Sequence, residues 1–313
     1  MEKAKVINKV VFIGSKKQGL SILKSIYKIS PESLVAIITF NDVNDIRSML
    51  SEYVQYAKDI GVKIYIAENQ KHSEELIPKL NPDICFVVGW YWLFSKKLIE
   101  KVKYGLVGVH NSLLPHYRGG APAVWAMING EDVIGTSLFS FSDGMDNGPI
   151  WAQETIQVND KDNISDVLKK LEQISIDMVN SNYMAILEGE LQPSLQNHDD
   201  ATYCSQRYPE HGEIDWKQSA KNIFNFIRAQ SKPYPGAYTF YSSQKITIQS
   251  ASLYQSPYYG SAGQIVRVNS SGVLVVCGDS RAILVKEIEI SGESKPVLEI
   301  FTSIKIQLKS RAE

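Results

Sequence analysis

The chain is poor in the features that most quickly betray a function. It has three cysteines in 313 residues, Cys85, Cys204 and Cys277, with no CxxC or CxxH pair among them. That spacing argues against a zinc site or a disulfide framework, and no bound metal is expected. Cys85 and Cys277 lie inside the apolar runs DICFVVGW and GVLVVCGD, where a thiol serves as a small buried hydrophobe. No apolar run approaches the ~18 residues of a membrane span. The opening MEKAKVINKVVFIGS lacks a signal-peptide core, so a reducing cytoplasm is the expected compartment. Charge of one sign is also missing: the net charge is −1, so no whole-molecule field draws the chain to nucleic acid. The balance is uneven, with 20 Lys+Arg against 25 Asp+Glu in residues 1–203 and 13 against 9 in residues 204–313. A mildly basic back third is compatible with a polyanion partner without demanding one. The first glycines, Gly14 and Gly19, do not make the three-glycine dinucleotide spacing and are read as a strand-to-helix turn.

What is present is an alternation. KVVFIG (9–14), SLVAIITF (33–40), VKIYIA (62–67), DICFVVGW (83–90) and LVGVH (106–110) read as strands. Helical patterns fall between them, at 15–28, 46–61, 73–82 and 93–105. The spacing predicts an α/β fold with a Rossmann-like doubly wound sheet, whose ligands sit beyond the carboxyl ends of the strands. A long amphipathic helix follows at 163–189, then a polar, irregular stretch at 192–203. After a helix at 219–230 come short strands separated by Gly and Ser turns, which predict a small C-terminal, OB-like β-barrel. The expected domains are 1–190 (catalytic), 191–204 (linker) and 205–313 (barrel).

The run HNSLLPHYRGGAPAVWAMINGEDVIGTSLFSFSDGMDNGPIWAQ (110–153) is laid out as a site. It uses turns, polar tips and small residues where a core segment would show apolar periodicity. His110 directly follows an apolar strand. Imidazole changes charge near neutral pH, which suits taking a proton from an amine as that amine attacks carbon. A lone histidine is more often structural, but Asn111, Ser112 and the stiff turn Leu113, Leu114, Pro115 surround this one. Arg118-Gly119-Gly120 lets main chain approach a ligand closely. Asp146 stands about 36 residues on, in FSDGMDNGPI. If it reaches His110 it fixes the tautomer and stabilises the imidazolium; otherwise the segment is a solvated turn. Asp143 is read as shaping that loop. In GWYWLF, Trp90, Tyr91 and Trp92 could be core or could wall a flat heterocycle, with Gly89 baring strand-end backbone.

HNSLLPHYRGGAP followed by DGMDNGPIWAQ strongly resembles the folate-dependent formyltransferase family, which uses N10-formyltetrahydrofolate as co-substrate. RYPEHGEIDWKQSAKNIFNFIRAQSKPYPGAY and GVLVVCGD resemble that family's C-terminal barrel, so the resemblance covers nearly the whole chain. It implies His110 and Asp146 as catalytic residues and Leu113, Leu114 and Pro115 as the turn beside the folate. It also implies Gly89, Trp90, Tyr91, Trp92 and Leu93, together with Ser142, Asp143, Gly144 and the loop on to Asp146, as segments whose backbone binds the pterin. One position departs. The family carries an asparagine two residues before the histidine, to hold the formyl oxygen, and here that place is Gly108. Asn111 is the candidate stand-in, although strand alternation points it elsewhere; otherwise protonated His110 and a water carry the oxyanion.

Members of the family formylate the methionyl group of initiator tRNA, amino groups of nucleotide-linked sugars or related small amines, and the tRNA enzymes resemble one another in a basic loop after the second strand. Here that loop, TFNDVNDIRSMLSEY (39–53), holds Asp42, Asp45 and Glu52 against one arginine. A loop pressing on phosphates should be basic. The expected acceptor is therefore a nucleotide-linked amino sugar. Methionyl-tRNA formylation is the alternative, and Gly108 motivates a third reading of binding without turnover. A homodimer is compatible with the chain, and no membrane partner is expected.

Overall fold

Five apolar runs become five parallel strands because a strand covered by helices on both faces has no polar side to show. The computed structural model describes residues 6–42 and 44–309. It places β1 (Val10–Gly14), β2 (Leu34–Phe40), β3 (Ile64–Ala67), β4 (Ile84–Val88) and β5 (Leu106–His110) in one sheet. The sheet continues through β7 (Val133–Ser140) and β8 (Ile150–Gln157) in the order β3-β2-β1-β4-β5-β7-β8, with β6 being the short Arg118–Gly119. The first five strands are parallel, and β7 and β8 run antiparallel. The order turns back between β1 and β4, which is where a doubly wound sheet opens its crevice.

Alternation along the strands feeds two cores. Phe12, Phe86 and Val107 pack with Leu20 and Leu23 of α1 (Lys17–Ile29) and with Met178 and Tyr183 of α6 (Ile164–Leu187). Val11, Ile13, Cys85 and Val87 pack on the other face with Ile77 of α3 (Gln70–Leu80) and Leu98 of α4 (Lys96–Ile99). Burial pushes the Cys85 thiol well up, as expected of a core hydrophobe.

Three helix boundaries differ from the sequence expectation. α3 begins at Gln70, three residues early, because the Asn69 side chain accepts from the His72 N–H and caps it. α2 (Leu50–Asp59) begins late, after a turn in which Ser48 is bonded to Asp42. The helix expected at 93–105 shrinks to α4, since Lys101 and Val102 donate three residues back, to Leu98 and Ile99, in tightening turns.

The chain divides into two compact units. One holds the chain up to Pro122 with Val133–Gln157 and Lys169–Cys204; the other holds Ala123–Asp132, Val158–Leu168 and the chain from Ser205. Residues 192–203 thus belong with the sheet unit. In the second unit α7 (Ala220–Gln230) accompanies strands ordered β10-β11-β14-β13-β12, namely Ala237–Tyr241, Gln244–Leu253, Ala282–Ile290, Gly272–Val276 and Ile265–Asn269. Both edges bond to one segment: Ile265 N–H donates to the Ile306 carbonyl, and Phe240 and Lys309 exchange two bonds of 3.0 Å. This joins the sheet's free edges through residues 306–309, as a small barrel requires. Among the described residues no helix is long and apolar enough to cross a membrane.

Candidate active site

His110 closes β5 and is 9% exposed. Its Nε2 lies 2.8 Å from the Tyr117 carbonyl. A carbonyl only accepts, so this nitrogen carries a proton in the resting arrangement. The other nitrogen, Nδ1, faces Asp146 Oδ2 at 3.6 Å, longer than a hydrogen bond but within ion-pair range.

The loop carrying Asp146 does not leave the sheet at the end where His110 lies. β7 runs against β5, so residues 141–148 depart from the opposite end of the strands to His110. The Phe141 N–H donates to the Leu106 carbonyl at the start of β5. The loop then folds back along the face of β5. The Phe141 ring lies where a side chain on Gly108 would stand. Asp146 ends up beside His110 with a left-handed backbone, φ 47°. Its Oδ2 accepts the Gly119 N–H at 2.8 Å. Gly119 itself has φ 105°, and a Cβ there would strike the Cys204 carbonyl, so only glycine presents its amide this way.

The aromatic run packs largely on itself. Phe40 meets Trp90 at 5.0 Å and Trp92 at 4.8 Å between ring centroids. Ring contacts then lead from Trp90 through Phe94, Phe141 and Phe139 to His110, each step between 5.3 and 6.2 Å. Trp90 Nε1 is buried with no hydrogen-bond partner among the described residues, an orphan donor in the segment expected to face a heterocycle. Gly89 has φ 67°, and its carbonyl accepts from Ser15. Leu93 is exposed and its carbonyl accepts from Gln70.

The turn beside His110 is held from β7 and β8. Leu114 N–H donates to Ser137, Gln153 donates to the Leu114 carbonyl, and the Pro115 carbonyl accepts from Thr202; Leu113 packs on Gly135. Ser142 bonds Asn147, Asp143 pairs with Lys96 at 3.4 Å, and Gly144 has φ 152°. Asn111 is not brought to the pair: its amide exchanges bonds with Gln18, which also reaches Ser175, and as a stand-in for the missing donor it points the wrong way. Strand alternation supplies the reason.

Two groupings were missed from sequence. Gln196, in the stretch read as a linker, is buried and bonds the Asp146 loop. Its partner Arg118 was read only as part of a turn. The second grouping lies past β1, β2 and β4, where Lys16 reaches Asp42 at 2.5 Å and Asp45 at 2.9 Å. Burial would push the Asp45 carboxyl up, but donors from Arg47, Lys16 and Tyr91 override it and hold that carboxyl far below the usual range. Among the described residues no group of three or more His, Cys, Asp and Glu could hold a metal ion.

Residues 6–180 match the formyl transferase family, and residues 207–303 match the formyl transferase C-terminal domain. A methionyl-tRNA formyltransferase of Caldanaerobacter subterraneus subsp. tengcongensis is 30% identical over 293 residues, 92% of this chain and 94% of that relative. The sugar 3N-formyl transferase WlaRD, solved with dTDP and 5-N-formyl-THF, has a TM-score of 0.68 at 18% identity, over 92% of this chain and 99% of its own. An N-formyltransferase of Helicobacter canadensis, in complex with folinic acid and dTDP-3-aminofucose, has a TM-score of 0.69 at 21% identity, over 88% and 98%.

Two outcomes test this geometry. The Cys204 thiol is pushed up to about 11 by burial and then by the Asp146 carboxylate. Only the thiolate is nucleophilic. Alkylation of Cys204, followed by peptide mass spectrometry, should therefore climb through pH 10, and Asp146→Asn should shift the curve to lower pH; levelling near pH 8.5 would contradict the arrangement. Gly108→Ala, which drives a methyl into the Phe141 ring, should cost about 1–3 kcal/mol in urea unfolding, and Phe141→Leu in the same chain should recover part of it.

Proposed function

The chain belongs to the formyl transferase family, and on that premise we propose that it moves a formyl group from N10-formyltetrahydrofolate to the amine of a nucleotide-linked amino sugar, in the cytoplasm. The observation that carries the reading is the His110–Asp146 pair at the carboxyl end of β5, with the Gly119 amide on its carboxylate. The buried, unpartnered Trp90 Nε1 fits a heterocycle bearing hydrogen-bond acceptors. The segment from Gly89 to Leu93 and the loop from Ser142 to Asp146 would hold the pterin, with the turn Leu113, Leu114, Pro115 beside it. The bound folate supplies an activated formyl carbon.

The chain's own work is proton handling and orientation. His110 takes the proton that the acceptor amine sheds. Base work at Nε2 requires its contact with Tyr117 to open and the ring proton to move to Nδ1, facing Asp146, because Nε2 is protonated at rest. Asp146 orients the ring from Nδ1 and balances the charge it gains. With Phe141 over Gly108 and Asn111 turned to Gln18, no β5 side chain next to His110 offers an amide to the formyl oxygen. The imidazole, once it has taken the amine's proton, is then a donor available to it.

For the acceptor, the loop after β2 supports a sugar. Its arginine, Arg47, is engaged by Asp45 and Tyr91, and its acids Asp42 and Asp45 bind Lys16. The loop's one arginine is thus already ion-paired, and its acids outnumber it, a poor match for tRNA phosphates. The 30% identity to a methionyl-tRNA formyltransferase favours the second reading, transfer to charged initiator tRNA.

His110→Ala and Asp146→Asn should each reduce turnover with the formyl donor by at least ~10²-fold; an unchanged rate removes that residue from the mechanism. Acceptor binding should change little from low to high salt, whereas tRNA binding by several phosphate contacts would weaken ~10³-fold or more.

A further inference from the structure

Arg118 is 2% exposed, and no carboxylate is paired with its guanidinium among the described residues. Its donors go to neutral groups. Nε and Nη2 bond Gln196 Oε1 at 3.1 and 2.7 Å, Nη1 bonds the Tyr203 hydroxyl at 3.2 Å, and Nη2 lies 3.0 Å from His198 Nδ1. A guanidinium can only donate, so it fixes which way the Gln196 amide faces: oxygen toward Arg118, nitrogen away. That nitrogen donates to two carbonyls of one loop, Asp146 at 2.8 Å and Gly148 at 2.6 Å. Gln196 is itself 7% exposed, so neither end of its amide exchanges freely with water.

We propose that Gln196, oriented by the buried Arg118, is a positioning residue that sets the Asp146 carboxylate against His110. Asp146 occupies a backbone region that a non-glycine residue adopts only when its surroundings hold it there. The Gln196 amide supplies that hold at Asp146's own carbonyl and again two residues on. The carboxylate is thereby kept on the Gly119 N–H and beside Nδ1 of His110. The same short segment also braces the other side of the imidazole. Thr202 Oγ1 accepts from the Tyr117 N–H, and the Thr202 carbonyl accepts from Arg118 N–H. Tyr117, left-handed at φ 57°, presents the carbonyl that His110 Nε2 reaches. Residues 196–203 therefore hold both neighbours of the imidazole by those neighbours' main-chain groups.

This rests on the formyl-transfer reading for its kinetic consequence, but its structural core can be read without turnover. The Gly119 N–H has the Asp146 carboxylate as its partner, so its hydrogen exchange reports whether that carboxylate is in place. In Gln196→Met, which keeps length and loses both polar ends, the Gly119 amide should exchange about tenfold or more faster while amides of β1 and β4 keep their protection. Gln196→Glu, which faces an oxygen to the two carbonyls, should do the same and serves if the Met variant does not fold. With the formyl donor, kcat should fall about 10- to 100-fold with KM within about twofold. In an Asp146→Asn background the same change should alter kcat by less than about twofold, because the group it positions has gone. Unchanged Gly119 exchange, loss of protection across the whole sheet, or additive losses in kcat would each overturn the proposal. Wild-type protein that transfers no formyl group would sink the functional reading and leave the exchange result to decide the positioning.

Discussion

One carboxylate reaching one imidazole across a folded-back loop is the constraint around which the sheet unit is organised. His110 has its place because an apolar strand ends there. Asp146 has no such anchor. It sits in a glycine-flanked loop that starts at the wrong end of the sheet and returns to His110 only because Gly108 leaves room for the Phe141 ring. The return is then fixed by contacts at its tip: the Gly119 amide on the carboxylate, Gln196 on the carbonyls, and Asn147 bonded to Ser142 within the loop. Functional groups are commonly carried by loops on a rigid scaffold. Here the scaffold includes a second irregular segment, 192–203, made rigid by a buried cation.

That cation explains why a polar stretch can serve as structure. Burying an unpaired guanidinium is costly unless its donors are met. Arg118 meets its neighbours through neutral oxygens and a ring nitrogen. A carboxylate partner would have placed a second acid close to Asp146. With a neutral amide in that position, Asp146 keeps its charge directed at His110. The same logic runs through the crevice on the far side of β1, where Lys16, Asp42, Asp45, Arg47 and Tyr91 satisfy one another and draw the loop after β2 inward.

The fold was largely legible because its signals are local. DICFVVGW and LVGVH could only be buried strands, and the glycine- and serine-punctuated back third reads as short strands whose free edges a single segment joins. Helix ends were less legible. Asn69 capping α3 is visible in hindsight, but Ser48 bonding Asp42 depends on how the loop turns. The direction of β7 was not legible, since alternation of strands and helices says nothing about where an added strand docks. Of the candidate site, motif and residue chemistry singled out His110 and Asp146, and their side chains lie 3.6 Å apart. Gln196 was missed because its burial comes from Arg118, 78 residues away in sequence. Asn111 shows the converse: adjacency to His110 suggested a role that the alternation of side chains along the chain directs elsewhere.

The measurement that bears most directly on the whole account is a transfer assay read by mass. The protein is incubated with N10-formyltetrahydrofolate and, separately, with a panel of nucleotide-linked amino sugars and with methionyl initiator tRNA, and each acceptor is weighed for the gain of one formyl group. The account predicts a gain on an amino sugar that disappears when Asp146 is replaced by asparagine. A gain on tRNA alone would contradict the acceptor. A gain on the sugar that survives the loss of Asp146 would contradict the central pair.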